Sequence, residues 1–198
     1  MSHYYVNDEN LAHKSITQSF ELLGERFTLE SDLGVFSKDG LDDGSRLLLE
    51  TIAKSDLGKH ILDLGCGIGS IGLLLAYFDK NRQLTLADVN QRALDLAGTN
   101  ASKLEVVDRV TIVESDVYSQ IHSKFDTIVT NPPIRAGKKV TYAMYAGALD
   151  HLNEGGRLIL VIRKKQGADS CMRYLETLFK EVIRVKQKKG YCILVAQK

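Results

Sequence analysis

Short apolar segments alternate with amphipathic ones along most of the chain, from residue 60 onward. Continuous apolar runs are typical of strands buried on both faces, and apolar residues at helical spacing predict helices. The predicted strands are His60–Leu64, Gln83–Ala87, Val110–Glu114, Phe125–Thr130, Arg157–Ile162, Val182–Lys186 and Tyr191–Ala196. The predicted helices are Ser45–Ala53, capped by Asp42 or Asp43, and then Ser70–Tyr77, Gln91–Ser102, Thr141–His151 and Ala168–Phe179.

This alternation predicts an α/β fold: a doubly wound, mostly parallel seven-stranded sheet with helices on both faces. Lys188-Lys189-Gly190 is typical of a tight turn between the last two strands, so one strand of the sheet is antiparallel. Ser19–Leu23 and Arg26–Glu30 flank Gly24 and predict a small N-terminal hairpin. We therefore expect an N-terminal extension over residues 1–36 and one main domain over residues 37–198.

Composition limits the class of protein. The chain has 198 residues, 44% of them hydrophobic and 26% charged, which is typical of one globular domain. It has no apolar run of about 18 residues, the length that spans a membrane. Its polar start, Met1–Asn10, is unlike a secretory signal, so we expect a cytoplasmic protein. Three widely separated cysteines predict reduced thiols, and five histidines without metal-ligand spacing predict no metal site.

Glycines and polar residues follow four successive predicted strands: Gly65–Gly69, Asp88, Ser115-Asp116 and Asn131-Pro132-Pro133. The carboxyl ends of parallel strands form the edge where ligands bind in such sheets, so we expect one site there. Gly67–Gly72 fits the dinucleotide fingerprint G-x-G-x-x-G, and an acid about 20 residues later is placed to bind a ribose. This pattern suits NAD and S-adenosylmethionine equally, so at this point both ligands remain open.

Asn131-Pro132-Pro133 favours one of the two ligands. The amide oxygen of Asn131 and a main-chain carbonyl held rigid by proline are two hydrogen-bond acceptors directed at one point. Two such acceptors can bind both hydrogens of a planar –NH2 group. The motif therefore indicates methylation of an exocyclic or amide nitrogen and disfavours an NAD-dependent oxidoreductase.

In this order the motifs resemble those of class I S-adenosylmethionine-dependent methyltransferases. More narrowly, Gly34–Leu49 and His151–Gly156 resemble segments of small-subunit rRNA guanine-N2 methyltransferases, most of all their short, single-domain bacterial members. The resemblance extends over residues 30–198. It implies a Rossmann-like methyltransferase domain and S-adenosylmethionine as the cofactor.

The resemblance also implies roles for individual residues. The catalytic residues would be Asn131, Pro132 and Pro133, of which Asn131 and Pro132 would bind the target amine. The glycines would let the backbone approach the methionine part of the cofactor, Asp63 would bind near its amino group, and Asp88 would hold its ribose. Asp116 would accept from the adenine amino group. The complete cofactor-binding set is Ser45, Asp63, Gly65, Gly67, Gly69, Asp88, Val89, Asp116, Val117 and Asn131.

The sequence departs from the family pattern in two ways. Many amino-methyltransferases have an aromatic residue after Asn-Pro-Pro to stack on the flipped base, whereas this chain has Ile134. Another ring would have to stack instead, and Phe36, Tyr142 and Tyr145 are the candidates. The longer rRNA enzymes also have an additional N-terminal half, which this sequence lacks. We therefore expect modest RNA binding, and action as a homodimer or on an assembled particle.

Basic residues occur in three groups, although the net charge is only +1. Each group follows or ends a predicted strand on its carboxyl side, so all three should lie on one rim and form a collar that binds RNA phosphates. The three groups are Arg135, Lys138 and Lys139; Arg163, Lys164 and Lys165; and Lys186, Lys188 and Lys189. The predicted substrate-binding residues are Phe36, Ile134, Arg135, Lys138, Lys164 and Lys165.

The sequence therefore predicts methyl transfer to an exocyclic amino nitrogen, with guanine N2 of small-subunit rRNA as the target. The alternatives are adenine N6, a glutamine amide in a protein, and a non-catalytic RNA-binding module.

Overall fold

The computed structural model describes residues 15–32 and 40–198. Within these residues, a two-stranded antiparallel hairpin precedes a seven-stranded sheet. The strands are β1 Ser15–Leu22, β2 Glu25–Asp32, β3 His60–Leu64, β4 Gln83–Asp88, β5 Val110–Glu114, β6 Phe125–Thr130, β7 Leu152–Arg163, β8 Glu181–Lys188 and β9 Tyr191–Gln197. The helices are α1 Asp43–Ile52, α2 Ser70–Phe78, α3 Gln91–Lys103, α4 Lys138–His151 and α5 Ala168–Glu176.

The large sheet has the strand order β5-β4-β3-β6-β7-β9-β8. All neighbouring strands are parallel except that β9 is antiparallel to both β7 and β8. The chain first moves outward from β3 to β4 and β5, then returns to place β6 on the other side of β3. In sheets of this topology such a reversal marks the usual position of a ligand site, here at the carboxyl ends of β3 and β6. The predicted fold class is confirmed.

The strands that form the centre of the sheet bury apolar residues on both of their faces because helices cover both sides of the sheet. Ile61 and Leu62 of β3 and Ile128 and Val129 of β6 have no exposed surface. Residues of β3 contribute alternately to two hydrophobic clusters, one on each side of the sheet. The site is therefore built at the ends of strands whose apolar residues are fully buried.

The hairpin packs onto this domain through both apolar and polar contacts. Phe27 of β2 is buried and makes an edge-to-face contact with Tyr77, with ring centroids 5.1 Å apart. The amide of Asn100 in α3 binds the main chain of Glu30 in both directions, with Glu30 N–H donating at 2.7 Å and Asn100 Nδ2 donating at 3.0 Å. The predicted hairpin is confirmed. The predicted domain division after residue 36 falls outside the described residues and remains a prediction.

The described residues contain neither a membrane-spanning helix nor a cluster of metal-binding side chains. Among the helices of the described residues, none is both long and apolar enough to cross a bilayer. The same residues contain no group of three or more His, Cys, Asp or Glu side chains placed to hold a metal ion. The three cysteines are free and buried, as predicted.

Candidate active site at the carboxyl edge of the sheet

The four motifs lie side by side. Strands β5, β4, β3 and β6 are consecutive neighbours in the sheet, and all four are parallel. Asp88 ends β4, while the other motifs directly follow β3, β5 and β6. The predicted convergence of the motifs at one edge is confirmed.

The turn after β3 requires glycine. Gly65, Gly67 and Gly69 have φ angles of +72°, +56° and +83°, which side chains rarely adopt. Gly72, in the first turn of α2, allows that helix to approach the sheet closely, because a β-carbon there would lie 2.2 Å from Leu86 Cδ2. The turn thus presents bare main chain at the edge of the sheet, suited to close contact with a ligand.

Asp63 is a fully buried carboxyl group beneath this turn. Its Oδ2 accepts a hydrogen bond from Gly72 N–H at 2.8 Å, whereas its buried Oδ1 has no hydrogen-bond partner among the described residues. Burial raises the pKa of Asp63 to about 7; the bond from Gly72 opposes this shift, and the nearby Asp88 carboxylate adds to it. A buried acceptor of this kind fits a cationic amino group.

Asp88 connects two loops at the end of β4. Its Oδ2 accepts from Gly67 N–H at 2.8 Å, and its Oδ1 accepts from Asn90 N–H at 3.0 Å. An ionised carboxylate has about four acceptor sites, so each oxygen can also accept from a hydroxyl. Asp88 is 5% exposed and the adjacent Val89 is half-buried. The geometry fits a residue that binds the ribose and fixes the glycine turn.

The turn after β5 has a strained main chain. Val117 has a φ angle of +53°, which is costly for a β-branched residue. Ser115 Oγ donates to Val117 C=O at 3.0 Å and supports this conformation. Asp116 is exposed and Val117 half-buried. The turn presents an acidic and an apolar group together, which suits an adenine ring with its amino group.

Asn131 is held by the start of α1. Its Nδ2 donates to Ser45 Oγ at 3.0 Å and lies 3.3 and 3.5 Å from the two carboxylate oxygens of Asp42. The main chain turns sharply between Pro132 and Ile134, where Ile134 N–H donates to Pro132 C=O at 2.8 Å. The amide oxygen of Asn131 is used by no hydrogen bond within the described residues.

These contacts add to the sequence interpretation of two residues. Ser45, predicted to line the cofactor, lies against Asn131. Asp42 was predicted only as a helix cap, and it does cap α1, accepting from Gly44 N–H at 2.9 Å and Ser45 N–H at 3.0 Å. Its contact with Asn131 was not predicted. The signal that was available is its position two residues before Gly44 in the segment typical of the family.

Two of the three rings proposed to stack on the target, Tyr142 and Tyr145, instead pack against other parts of the protein. Tyr145 is 1% exposed and belongs to the core, so the suggestion that it stacks on the target is wrong. Tyr142 stacks on Tyr174, with ring centroids 4.0 Å apart and planes at 14°. Phe36 lies outside the described residues. Ile134 is half-buried against the core cluster that contains Tyr145.

The basic groups lie at the same edge of the sheet. Arg135, Lys138, Lys164 and Lys165 are exposed. Because β8 is parallel to β7, its carboxyl end also points to this edge, and Lys164 N–H donates to Gly190 C=O in the turn that follows β8 at 2.8 Å.

Two members of the third group are partly neutralised. Lys188 lies 3.6 Å from Glu50, and Lys189 lies 3.5 Å from Asp43. The remaining charge of the rim is therefore concentrated in the first two groups.

Residues 26–195 match the family model described as "Methyltransferase small domain". A Bacillus subtilis protein, "Uncharacterized protein YbxB", is 46% identical over 198 residues, covering 99% of this chain and 98% of its own length. The ribosomal RNA small subunit methyltransferase C of Haemophilus influenzae (strain KW20 / Rd) is 39% identical over 158 residues, covering 78% of this chain and 45% of the relative.

A solved structure, a T. thermophilus 16S rRNA N2 methyltransferase in complex with AdoMet and guanosine, is similar with a TM-score of 0.82 and 27% identity. That match covers 93% of this chain and 50% of the other. The chain thus spans about half the length of the rRNA methyltransferases that it matches. These findings confirm the resemblance that the sequence motifs predict.

Proposed function

Because the chain belongs to the methyltransferase small domain family, we propose that it methylates the N2 amino group of a guanine in small-subunit rRNA. The coarser statement, an S-adenosylmethionine-dependent methyltransferase, follows from the family and the fold. The observation that carries the choice of an amino nitrogen is the orientation of Asn131, whose NH2 group binds α1 and leaves its oxygen as an acceptor. The named relatives support rRNA as the target.

The residues present fit the cofactor. The buried, unpartnered Oδ1 of Asp63 suits the amino group of its methionine part, and the positive-φ glycines leave main chain open to that part. Asp88 would bind the ribose, and Asp116 with Val117 the adenine. When bound, S-adenosylmethionine supplies an activated methyl group on a sulfonium. The protein itself has only to bind and orient the two substrates and to stabilise the charge that develops during the transfer.

The acceptor side is the task of Asn131 and Pro132. Their two oxygens would bind the two hydrogens of the target amine and hold its lone pair toward the methyl group. Positioning removes much of the entropic barrier, and fixed acceptors stabilise the positive charge that develops on the nitrogen. No covalent residue is needed. A guanine inside a helix would have to be flipped out or already unpaired to reach this edge.

The raised pKa of Asp63 predicts that cofactor affinity depends on pH. A cationic amino group favours the ionised carboxylate, so binding should release a proton where the free protein holds one, below a pKa of about 7. Affinity should therefore increase from pH 5.5 to 7, approaching about tenfold per pH unit at the acid end. Calorimetry in two buffers of different ionisation enthalpy would measure the released proton.

Asp63→Asn is the control for this dependence. The amide keeps the size of the side chain and an acceptor for Gly72 N–H but cannot ionise. The variant should bind S-adenosylmethionine weakly at every pH and release no proton. An equally steep pH dependence in the variant would assign the effect to another group.

The basic rim predicts salt-sensitive RNA binding. Each phosphate contact should lower the logarithm of affinity by about 0.7–0.9 per tenfold increase in salt. Lys164→Glu with Lys165→Glu should weaken RNA binding and reduce this slope, because both side chains are exposed at the rim. Cofactor binding should not change. Filter binding or fluorescence anisotropy over a salt series would measure both quantities.

A matched control for these reversals lies at the opposite edge of the sheet. Lys59 and Lys80 are exposed and precede β3 and β4, so they lie at the amino ends of the strands. Reversing both to glutamate changes the net charge equally and should leave RNA affinity nearly unchanged. Equal loss in both double variants would indicate a general charge effect, and methylation of a protein glutamine amide would become the leading function.

The proposed function can be tested with labelled S-adenosylmethionine. Small-subunit rRNA from cells that lack the protein would be supplied as free RNA and as assembled subunits, and the products digested to nucleosides. Label in N2-methylguanosine supports the proposal. Label in N6-methyladenosine, or in glutamine of a ribosomal protein, would replace guanine N2 by that target. The same comparison shows whether free RNA or the particle is the substrate.

A further inference from the structure

We propose that Asp42 is a positioning residue for methyl transfer, which determines which end of the Asn131 amide faces the target amine. The inference rests on the proposed function, in which the oxygen of Asn131 accepts from that amine. Asp42 itself contacts neither the cofactor nor the target in this account. It acts through Asn131.

The side chains of Asp42 and Asn131 differ in the hydrogen bonds that they can donate. An ionised carboxylate only accepts hydrogen bonds, whereas one end of an amide donates and the other accepts. Both oxygens of Asp42 face Asn131, at 3.3 and 3.5 Å from Nδ2. Turning the amide over would place its oxygen against the carboxylate and its NH2 group toward the target. Asp42 excludes this orientation because two acceptors would then face each other.

Asp42 is itself fixed by the start of α1. Its Oδ1 accepts from Gly44 N–H and Ser45 N–H, as a helix cap does. The positive end of the helix dipole favours a negative charge at this position. The carboxylate is therefore held in place beside Asn131.

Strand β9 packs against the same turn. A β-carbon at Gly44 would lie 2.9 Å from Cε1 of Tyr191 and 3.0 Å from Oδ1 of Asp42. The Tyr191 ring and the Asp42 carboxylate therefore both lie close to the main chain of Gly44. Arg163 covers the ring of Tyr191, with its guanidinium 4.9 Å from the ring centroid. The cap cannot shift without moving these groups.

The charge of Asp42 has a second effect. A carboxylate at the NH2 end of an amide polarises it and increases the electron density on its oxygen. That oxygen accepts from a nitrogen that becomes positive as the methyl group is transferred. Asp42 thus contributes to kcat more than to the binding of either substrate.

The test is an exchange of amide and carboxylate between the two positions. In Asp42→Asn the helix cap is retained, since asparagine caps as well as aspartate, but an NH2 group replaces Oδ2, one of the two oxygens that face Asn131. We expect kcat to fall by about a hundredfold, the scale for losing one preorganised group, while the affinity for S-adenosylmethionine stays within about threefold. Asn131→Asp should also be inactive, because two carboxylates then face each other.

The double variant, Asp42→Asn with Asn131→Asp, restores a pair of one amide and one carboxylate at these two positions. The new amide donates to one oxygen of the new carboxylate, whose other oxygen accepts from the target. We expect its kcat to exceed that of either single variant by at least about tenfold, a coupling that only interacting residues show. A purely structural role for Asp42 predicts no such recovery. The proposal is overturned if Asp42→Asn keeps wild-type kcat or if the double variant is no better than Asn131→Asp.

A second readout needs no substrate. The side-chain NH2 resonances of Asn131, assigned by their loss in Asn131→Asp, should shift and exchange faster with water in Asp42→Asn. If wild-type protein methylates no rRNA but this change occurs, the orientation by Asp42 stands and the proposed target fails. If wild-type protein is active and the resonances do not move, the inference about Asp42 fails alone.

Discussion

Replacing Asn131 by alanine is expected to lower kcat for methyl transfer by at least about a hundredfold, with cofactor affinity changed by less than about threefold. The variant loses the amide oxygen that would bind the target amine and stabilise its developing charge. It loses no main-chain acceptor, since the carbonyl of Pro132 remains. Single-turnover kinetics with rRNA, together with calorimetry of S-adenosylmethionine, would separate the two effects.

A matched control exists at the other end of the same strands. Asn153 Nδ2 donates to Asp126 Oδ1 at 2.8 Å, which is also an amide–carboxylate pair, at the amino edge of the sheet. Asn153→Ala should leave kcat unchanged. If Asn131→Ala lost mainly cofactor affinity, Asn131 would be a cofactor ligand or a structural residue, and the assignment of the acceptor site would be wrong.

Asp88→Ala should weaken the binding of S-adenosylmethionine by about 1.5–3 kcal/mol, the scale for a lost charge-assisted hydrogen bond. This corresponds to roughly a tenfold to 150-fold increase in Kd. The variant loses the acceptors for the ribose and also the bond that holds Gly67. Calorimetry with the demethylated product, S-adenosylhomocysteine, avoids turnover during the measurement.

A ligand without a ribose hydroxyl separates these two contributions. Wild-type protein should bind the 2′-deoxy analogue of the product more weakly than the product, and Asp88→Ala should bind the two nearly equally. Unchanged affinity for the product in Asp88→Ala would remove Asp88 from the cofactor site. Weaker but still discriminating binding would mean that Asp88 supports the glycine turn and does not bind the ribose.

The strands and their ends could be predicted because the local signals are strong. Strands β3, β5 and β6 have the predicted bounds, since each is a short apolar run closed by a glycine, acidic or proline motif. Where the local signals are misleading, the observed strand boundaries differ from the predicted ones. Strand β7 begins at Leu152 and not at Arg157, because Leu152 pairs with Phe125 through an irregular register that includes Gly155 and Gly156.

Helix boundaries differed for similar reasons. Helix α4 begins at Lys138, three residues before the predicted start, because Gly137 adopts a φ of +92° and turns the chain directly into the helix. Helix α5 ends at Glu176, before the predicted Phe179, in a turn where Thr177 and Leu178 N–H groups bond back to nearby carbonyls. Such turns depend on single peptide orientations that the apolar pattern does not encode.

Contacts within the site could be predicted only as far as the sheet topology fixes them. The order of the motifs along the edge follows from parallel strands, but the contact between Asp42 and Asn131 joins residues 89 positions apart. It depends on how α1 packs against β7 and β9. The same packing pairs Lys189 with Asp43, which the charge pattern alone did not reveal.

The most direct test of the central claim is mass spectrometry of nucleosides from small-subunit rRNA. Cells with the protein, without it, and without it but expressing either wild type or Asn131→Ala would be compared. We expect N2-methylguanosine to decrease in cells without the protein and to be restored by wild type but not by Asn131→Ala. Unchanged N2-methylguanosine in the absence of the protein would contradict the claim.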